Sequence, residues 1–308
     1  MAYRVESSGA VATKGETGVE SLRGGLFPYA RWHANLPVLA QHYARQEPFP
    51  HLHFVDFFDP DVAARIAGEF PSSTSPEWVH WKHYNENKLG LTKRALFPPL
   101  IGQVVDELNA PRFVAWLSAL TGIDGLVADP GLDGGGLHQS DRGGFLNVHT
   151  DFTTHHHQPT WRRRVNLIVY LNREWDEAWG GAIELWDRDM RGAVVSIPPL
   201  FNHAVIFNTE QPSYHGFPEP LRCPDGVARR SLALYYYTVE ETAQVARSTD
   251  YRSRPVDGFT TRAMIWADKQ AVHLYSRVKS RLGLSDNFAS TALRLLHRMT
   301  RGRNHRTR

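Results

Sequence analysis

Short hydrophobic runs separated by turn residues dominate the chain between residues 147 and 238. The run at residues 164–172 is rich in β-branched and aromatic residues and is bounded by polar ones, which is typical of a buried strand. Three further strands are predicted at residues 182–186, 204–207 and 231–238. Gly180-Gly181, Pro198-Pro199 and Pro212-Ser213 provide turn signals between them. Several short strands spaced in this way favour a two-sheet sandwich or barrel.

The N-terminal half follows a helical period instead. Apolar residues three and four apart predict helices over residues 36–45, 59–70, 96–108 and 112–120. Strands are predicted at residues 49–58 and 78–84, and Asn85-Glu86-Asn87-Lys88 is typical of a turn. The expected fold class is therefore mainly β with flanking helices, in which the N-terminal helices buttress one sheet of a barrel.

Two amphipathic stripes follow residue 238. The first comprises Ala271, Leu274, Tyr275, Val278 and Leu282, and the second comprises Phe288, Ala292, Leu295, Leu296 and Met299. We expect three parts: a flexible segment at residues 1–30, a domain at residues 31–245 with its barrel core at about 130–240, and a helical extension at residues 246–308.

Positive charge is concentrated at the C-terminal end of the chain. The 308 residues have an ordinary globular composition and a formal net charge of +3. Residues 275–308 contain nine Lys or Arg and one Asp, a net of +8, so the remainder is −5 by subtraction. A basic amphipathic end suits a membrane surface, a nucleic acid or an acidic carrier protein. A docked helix followed by a polar tail explains the same pattern.

The cysteine count and the hydropathy of the chain indicate in which cellular compartment the protein is expected. Cys223 is the single cysteine, which excludes an internal disulfide framework and fits a reducing compartment. No apolar run is long enough for a transmembrane helix, and residues 1–25 lack the apolar core of a secretory signal. We therefore expect a cytoplasmic protein.

A candidate metal site lies at His149, Asp151 and His215. Side chains two apart on a strand share a face, so His149 and Asp151 can contact one ion. Two histidines and one carboxylate leave three positions open, as a facial Fe(II) site requires. His203 is an alternative distal ligand, but it lacks the turn and the arginine-bearing strand that follow His215. In a chain with 16 His and 32 acidic residues, one such pair arises by chance, so the surrounding order matters.

That order resembles a known family. His-x-Asp is followed by a strand ending in Tyr-Leu-Asn, a Trp-rich turn into Gly-Gly, a distal His-Gly, and Arg-Ser-Leu-Ala-x-Tyr-Tyr. The segment at residues 134–238 thereby resembles the prolyl-hydroxylase-like branch of the 2-oxoglutarate and Fe(II)-dependent oxygenases, most closely at residues 163–175. The resemblance implies a double-stranded β-helix, a jelly-roll barrel of the cupin-like kind, with the metal at its mouth.

The resemblance also implies the cosubstrate contacts. Fe(II) would be held by His149, Asp151 and His215, and the C5 carboxylate of 2-oxoglutarate by Arg230 with Tyr170. His138, or Gln139 beside it, would be a further cosubstrate contact. Arg229 is adjacent, and only one of two neighbouring arginines can face the interior of a strand. We select Arg230, because Leu232, Leu234 and Tyr236 share its strand face and are expected to point inward.

The implied reaction is that of a dioxygenase. Oxidative decarboxylation of 2-oxoglutarate to succinate, using O2 and with ascorbate as an optional reductant, is coupled to hydroxylation of a substrate. We expect a small polar metabolite or natural-product intermediate, with His155, Arg163 and Asn166 as secondary candidates for substrate contacts. Hydroxylation of prolyl or other protein side chains is the alternative, and a nucleic-acid substrate is disfavoured. A zinc hydrolase or isomerase would use the same three ligands without needing the basic residue on the last strand. A non-catalytic module that retains the barrel is a further alternative, and the intact ligands argue against it.

Overall fold

In the computed structural model, five of the six helices described precede residue 122, and ten strands then follow one another before the last helix. The described residues are 2–3, 25–209, 212–245 and 247–282. The strands are β1 Ala2–Tyr3, β2 His51–Phe54, β3 Val79–His83, β4 Glu86–Leu91, β5 Leu126–Ala128, β6 Gly136–Ser140, β7 Phe145–Thr150, β8 Trp161–Tyr170, β9 Ile183–Trp186, β10 Ala193–Ile197, β11 Ala204–Asn208, β12 His215–Phe217, β13 Arg229–Val239 and β14 Asp250–Tyr251. The helices are α1 Tyr29–Ala34, α2 Leu36–Arg45, α3 Pro60–Gly68, α4 Pro99–Leu108, α5 Pro111–Thr121 and α6 Phe259–Leu282.

Two groups of antiparallel strands form the barrel. The first runs β2, β11, β8, β13 and β6, and the second runs β7, β12, β9 and β10. Strand β4 pairs with both β6 and β7 and so joins the two groups. Side chains of β6, β8 and β13 line one cavity together with those of β7, β9 and β12, which places the two groups face to face. The predicted jelly-roll fold with flanking helices is confirmed.

Most helices predicted from the sequence are confirmed within a few residues. Helices α2, α3, α4 and α5 correspond to the predicted segments. The turn predicted at residues 85–88 lies instead at residues 84–85, between β3 and β4. Residues 86–88 belong to β4, and its pairing with β3, β6 and β7 overrides the local turn preference of Asn87.

The main hydrophobic core lies between the helices and the outer face of the first strand group. Trp116 of α5 and Ile101 of α4 are buried in one cluster with Leu232, Leu234 and Tyr236 of β13. The expectation that these β13 residues face the barrel interior is therefore wrong. Both faces of β13 are covered, one by helices and one by the second strand group, so hydrophobicity alone does not tell the faces apart.

Some predictions fall outside the described residues. These are most of the flexible segment expected at residues 1–30, the second amphipathic stripe at residues 288–299 and most of the basic C-terminal segment. The domain boundaries at residues 30 and 245 remain predictions. Within the described part of the chain, none of the helices combines the length and apolar character needed to span a membrane.

The C-terminal segment packs against the strand that bears His149. Tyr251 of β14 pairs with His149 of β7, and their rings are 5.5 Å apart. Helix α6 is fixed to the β3–β4 hairpin by Asp268, whose Oδ2 lies 2.7 Å from His83 Nδ1 and accepts a 2.6 Å hydrogen bond from Asn85. The other ring nitrogen of His83 lies 2.9 Å from Glu86 Oε1. His83 therefore joins α6 to the barrel between two carboxylates.

Protonation of His83 should make this junction dependent on pH. Burial alone would lower the pKa of His83, but Asp268 and Glu86 raise it from 6.5 to about 9. Because the pKa of His83 is higher in the folded protein than in the unfolded chain, protonation of His83 stabilises the fold. This stabilisation is complete below pH 6.5 and is lost as the pH rises through about 9. We expect wild type to exceed His83→Gln in free energy of unfolding by up to about 3 kcal/mol near pH 6, with the gap closing above pH ~9.5. Thermal unfolding of both proteins across this range is the measurement, and a gap that does not change with pH would contradict it.

Candidate active site

The three predicted metal ligands come together at one end of the barrel. His149 and Asp151 lie at and just beyond the end of β7, and β12 places His215 directly opposite His149. Asp151 Oδ1 lies 3.7 Å from His149 Nε2, and Asp151 Oδ2 lies 3.5 Å from His215 Nε2. One ligand atom from each residue lies within 4.8 Å of the other two. This spacing fits a single bound ion.

Backbone carbonyl groups orient both histidine rings. His149 Nδ1 donates to the carbonyl of Asn147 at 2.8 Å, and His215 Nδ1 donates to the carbonyl of Ser213 at 2.9 Å. Because a carbonyl oxygen only accepts, both Nδ1 atoms carry the proton and both Nε2 lone pairs are free for a metal. Burial lowers the pKa of His215 to about 4, so this ring is neutral at pH 7.

Gly216 permits the close approach of β12 to β7. A Cβ atom at residue 216 would lie 2.8 Å from the carbonyl oxygen of Leu146 and 3.0 Å from that of Asn147. Contacts this short with backbone atoms force the strands apart. The His-Gly pair is therefore needed to bring His215 beside His149.

Two neighbours brace the Asp151 carboxylate. Asn166 Nδ2 donates to Asp151 Oδ2 at 2.8 Å, and Arg163 Nη2 lies 3.0 Å from the same oxygen. Arg163 Nε also donates to Asn166 at 2.9 Å, and its guanidinium stacks 3.4 Å from the Tyr235 ring centroid. Burial would raise the pKa of Asp151, but Arg163 first, and then His215 and His149, hold it well below its usual value. Asp151 is thus an ionised, fixed ligand.

Removal of Arg163 should weaken metal binding. Arg163→Met leaves a buried carboxylate with one partner fewer, so we expect roughly 10- to 100-fold lower metal affinity and a loss of about 3 to 5 kcal/mol in the free energy of unfolding. Competition with a chromophoric chelator and thermal unfolding measure the two effects. Arg162→Met, on the exposed neighbouring residue, is the matched control. Equal effects of both substitutions would show that Arg163 does not support Asp151.

Arg229 supplies a buried cation to the same cavity. Its side chain lies on the interior face of β13 with Ser231, Ala233 and Tyr235, and 6 % of the residue is exposed. Arg229 Nε donates to the carbonyl of Gly181 at 2.7 Å, and Nη2 donates to the Tyr170 hydroxyl at 3.3 Å. Burial lowers the pKa of Arg229, and Tyr170 partly offsets this. Within the described ranges no carboxylate forms an ion pair with Arg229. An anionic ligand bound in the cavity would therefore neutralise a buried charge.

The neighbouring arginine, Arg230, points away from the cavity. Arg230 lies on the helix-facing side of β13, with its guanidinium 5.5 Å from the ring of Phe70. The strand orientation that selected Arg230 is reversed, because Arg229 and not Arg230 lines the cavity. Tyr170 lies, as expected, beside the inward-facing arginine, although that arginine is Arg229.

His138 and Lys88 are two further polar residues on the cavity wall, and only His138 was predicted from the sequence. His138, the predicted cosubstrate contact, lines the cavity, and its buried Nε2 has no hydrogen-bond partner among the described residues. Burial first and Lys88 second lower the pKa of His138 to about 3, which keeps the ring neutral. Lys88 was missed, because its segment resembles a turn; its Nζ lies 3.0 Å from Glu86 Oε2. The raised pKa of Lys88 reflects Glu86, whose charge outweighs the lowering by burial.

The secondary substrate candidates occupy different places. Asn166 lines the cavity, whereas Arg163 contacts the metal ligand Asp151 from beside it. His155 does not line the cavity; it is buried, with Nε2 3.3 Å from Asp129 Oδ2. Its Nδ1 accepts backbone hydrogen bonds from residues 157 and 158, so His155 anchors its own loop. The expected contact of His155 with substrate has no support in this geometry.

The cavity residues fit the metal and the cosubstrate implied by the sequence. Two imidazoles and an ionised carboxylate are suitable ligands for Fe(II) and leave open positions. Across the cavity, the guanidinium of Arg229 and the hydroxyl of Tyr170 suit one end of a dicarboxylic acid. The unpaired Nε2 of His138 offers another polar contact on the same wall.

Comparison with known proteins agrees with this chemistry. Residues 135–237 match the model of the 2OG-Fe(II) oxygenase superfamily. The chain is also 30 % identical over 135 residues to prolyl 3-hydroxylase OGFOD1 of Mus musculus. This match covers 42 % of the present chain and 22 % of the mouse protein, so the chain spans about a fifth of the length of that relative.

Two solved structures are similar in outline. A prolyl-4-hydroxylase from Pseudomonas putida is 17 % identical, with a TM-score of 0.46 over 66 % of this chain and 100 % of that one. A prolyl hydroxylase from Trichoplax adhaerens, in complex with a hypoxia inducible factor peptide, is 13 % identical, with a TM-score of 0.49 over 68 % of this chain and 92 % of that one. Residues 135–237, about a third of the chain, are therefore similar to the 2OG-Fe(II) oxygenase superfamily, and the ligand triad and Arg229 within this segment fit the Fe(II) and 2-oxoglutarate of that family's name.

Proposed function

We propose that the chain is a 2-oxoglutarate-dependent dioxygenase that hydroxylates a small polar metabolite or natural-product intermediate. The observation that carries the proposal is the buried Arg229, a cation without a described carboxylate partner, in the cavity that holds the ligand triad. A zinc hydrolase has no use for such a cation opposite its metal. A dicarboxylic cosubstrate supplies the missing negative charge.

The residues of the chain have distinct roles in this reaction. His149, Asp151 and His215 hold Fe(II), and Arg229 with Tyr170 holds the distal carboxylate of 2-oxoglutarate. Bound Fe(II) and 2-oxoglutarate would supply the oxidising chemistry: one oxygen atom of O2 would enter succinate as CO2 is released, and the other would be inserted into a C–H bond of the substrate. Arg163 and Asn166 keep Asp151 ionised and in place. Apolar wall residues such as Ile168, Ile183 and Phe217 limit the access of water.

The cavity lining supports a polar substrate group of limited size. The cavity is small, about 80 Å³, compared with the several hundred Å³ of many ligand pockets, and 2-oxoglutarate would occupy part of it. Lys88, Asn166, Ser231 and Tyr235 contribute polar side chains to its wall. Such convergent donors and acceptors orient a substrate group beside the metal.

Hydroxylation of a prolyl side chain in a protein is the second candidate. It is favoured by the 30 % identity to a prolyl 3-hydroxylase over 135 residues. A prolyl ring is also small enough to approach the metal alone, with the peptide remaining outside the cavity.

Substrate-stimulated succinate release tests both candidates. The Fe(II) protein is incubated with 2-oxoglutarate, O2 and either a panel of amino acids, sugars and natural products or a panel of proline-containing peptides. Stimulation by a free metabolite, with product mass increased by one oxygen, is the expected result. Stimulation by peptides alone would replace the first candidate with the second. No consumption of 2-oxoglutarate under any condition would contradict the dioxygenase itself.

A further inference from the structure

Exposed aromatic side chains are concentrated at the start of α6. Phe259 is 86 % exposed and Trp266 is 63 % exposed, whereas every other Phe and Trp in the described residues is buried or half-buried. Val256 and Met264 add further exposed apolar surface to this segment, at 80 % and 49 %. An accumulation of large apolar groups in one short segment indicates an interaction surface.

This aromatic face points away from the barrel because the opposite face of α6 is fixed. Ile265 is 4 % exposed, and Asp268 is hydrogen-bonded to Asn85 and paired with His83 of the β3–β4 hairpin. Residues seven apart lie two helical turns apart on the same side, so Phe259 and Trp266 share a face. That face is available to a partner without any change in the docking of α6.

A strongly basic segment follows these aromatic residues. Residues 275–308 have a net charge of +8, whereas the rest of the chain has a net charge of −5. Aromatic side chains next to clustered Lys and Arg are characteristic of interfacial membrane helices, in which the rings enter the headgroup region and the cations meet anionic lipids. We propose that α6 binds the surface of an anionic lipid bilayer through its aromatic face.

The distribution of charge favours a bilayer over a nucleic acid. Among residues 259–271 the charged side chains are Arg262, Asp268 and Lys269, and the last two pair with groups of the barrel and of β14. The aromatic face is therefore mainly apolar, and the positive charge lies further along the chain. Single-stranded nucleic acids instead need cations interspersed with the stacking aromatics. A bilayer accommodates apolar and cationic regions that are separated in this way.

Vesicle flotation of the full-length protein tests the proposal. Vesicles of phosphatidylcholine with phosphatidylglycerol are compared with vesicles of phosphatidylcholine alone, at low and high salt. We expect wild type to float with the anionic vesicles only and salt to weaken binding. Phe259→Ser combined with Trp266→Ser should lower the partition coefficient roughly tenfold or more. Leu96→Ser combined with Val194→Ser, at exposed apolar residues elsewhere, should leave it unchanged.

The outcomes separate the alternatives. No flotation of the wild type with anionic vesicles would overturn the proposal, as would binding to single-stranded DNA or RNA with no vesicle binding. Equal flotation of wild type and the α6 double variant would show that the basic segment acts alone, and would overturn the role of the aromatic face. Circular dichroism of each variant confirms folding. None of these measurements depends on the enzymatic proposal.

Discussion

Arg229→Met should abolish most of the affinity for 2-oxoglutarate while leaving metal binding nearly intact. The substitution removes the buried cation that faces the metal ligands, so one carboxylate of the cosubstrate would be buried without its partner. Loss of one member of such a pair costs roughly 3 to 5 kcal/mol, which corresponds to a loss of affinity of about a hundred- to a thousandfold or more. Anaerobic titration of 2-oxoglutarate into the Mn(II)-loaded protein measures the effect.

Arg230→Met is the matched control for this prediction. Arg230 is adjacent in sequence but faces Phe70 and the helices, so its removal should change 2-oxoglutarate affinity by less than about tenfold. Arg229→Met should also keep or raise the melting temperature of the metal-free protein, since an unpaired buried cation is itself destabilising. A larger loss of affinity at Arg230 would contradict the assignment of Arg229.

His215→Ala should remove tight binding of Fe(II). His215 provides one of three ligand atoms, and its replacement leaves only His149 and Asp151. Loss of a residue that merely supports a ligand typically costs 10- to 100-fold in metal affinity, so loss of a ligand itself should cost more than about a hundredfold. Metal content after dialysis and chelator competition measure this effect, and succinate release should fall with it.

His203→Ala provides a control within the same chain. His203 was the alternative distal ligand by sequence, but its Nδ1 lies 2.9 Å from His53 Nε2, and it is not a member of the described ligand cluster. We expect His203→Ala to retain metal at wild-type stoichiometry. Loss of metal in His203→Ala, with retention in His215→Ala, would show that the wrong histidine has been assigned.

Local pattern predicted most of the helices and the shared face of His149 and Asp151 for physical reasons. Helices α4 and α5 bury one stripe each, so their period of 3.6 residues is visible in the sequence. The pair His149 and Asp151 lies two residues apart at the end of one strand, which fixes a shared face. The approach of His215 depends on β12 pairing with β7, and only the family resemblance indicated it.

The sequence-based predictions failed where contacts between distant segments determine the structure. The faces of β13 are both buried, so an apolar alternation could not distinguish Arg229 from Arg230. Lys88 lies in a polar tetrapeptide whose last three residues begin β4, a strand that pairs with β3, β6 and β7. Tyr251 reaches His149 through a two-residue strand that has no periodicity of its own. Contacts of this kind are properties of the assembled barrel and not of any local segment.

Anaerobic absorption spectroscopy reports on bound Fe(II) and bound 2-oxoglutarate in a single measurement. We expect one cavity to hold Fe(II) on His149, Asp151 and His215 and 2-oxoglutarate on Arg229 at the same time. Addition of Fe(II) and then 2-oxoglutarate to the wild-type protein without O2 should produce a weak visible charge-transfer band, which saturates at one equivalent of each. The band should be absent in His215→Ala and should require far more 2-oxoglutarate in Arg229→Met. A folded wild-type protein that binds Fe(II) but gives no band at saturating 2-oxoglutarate would contradict the account.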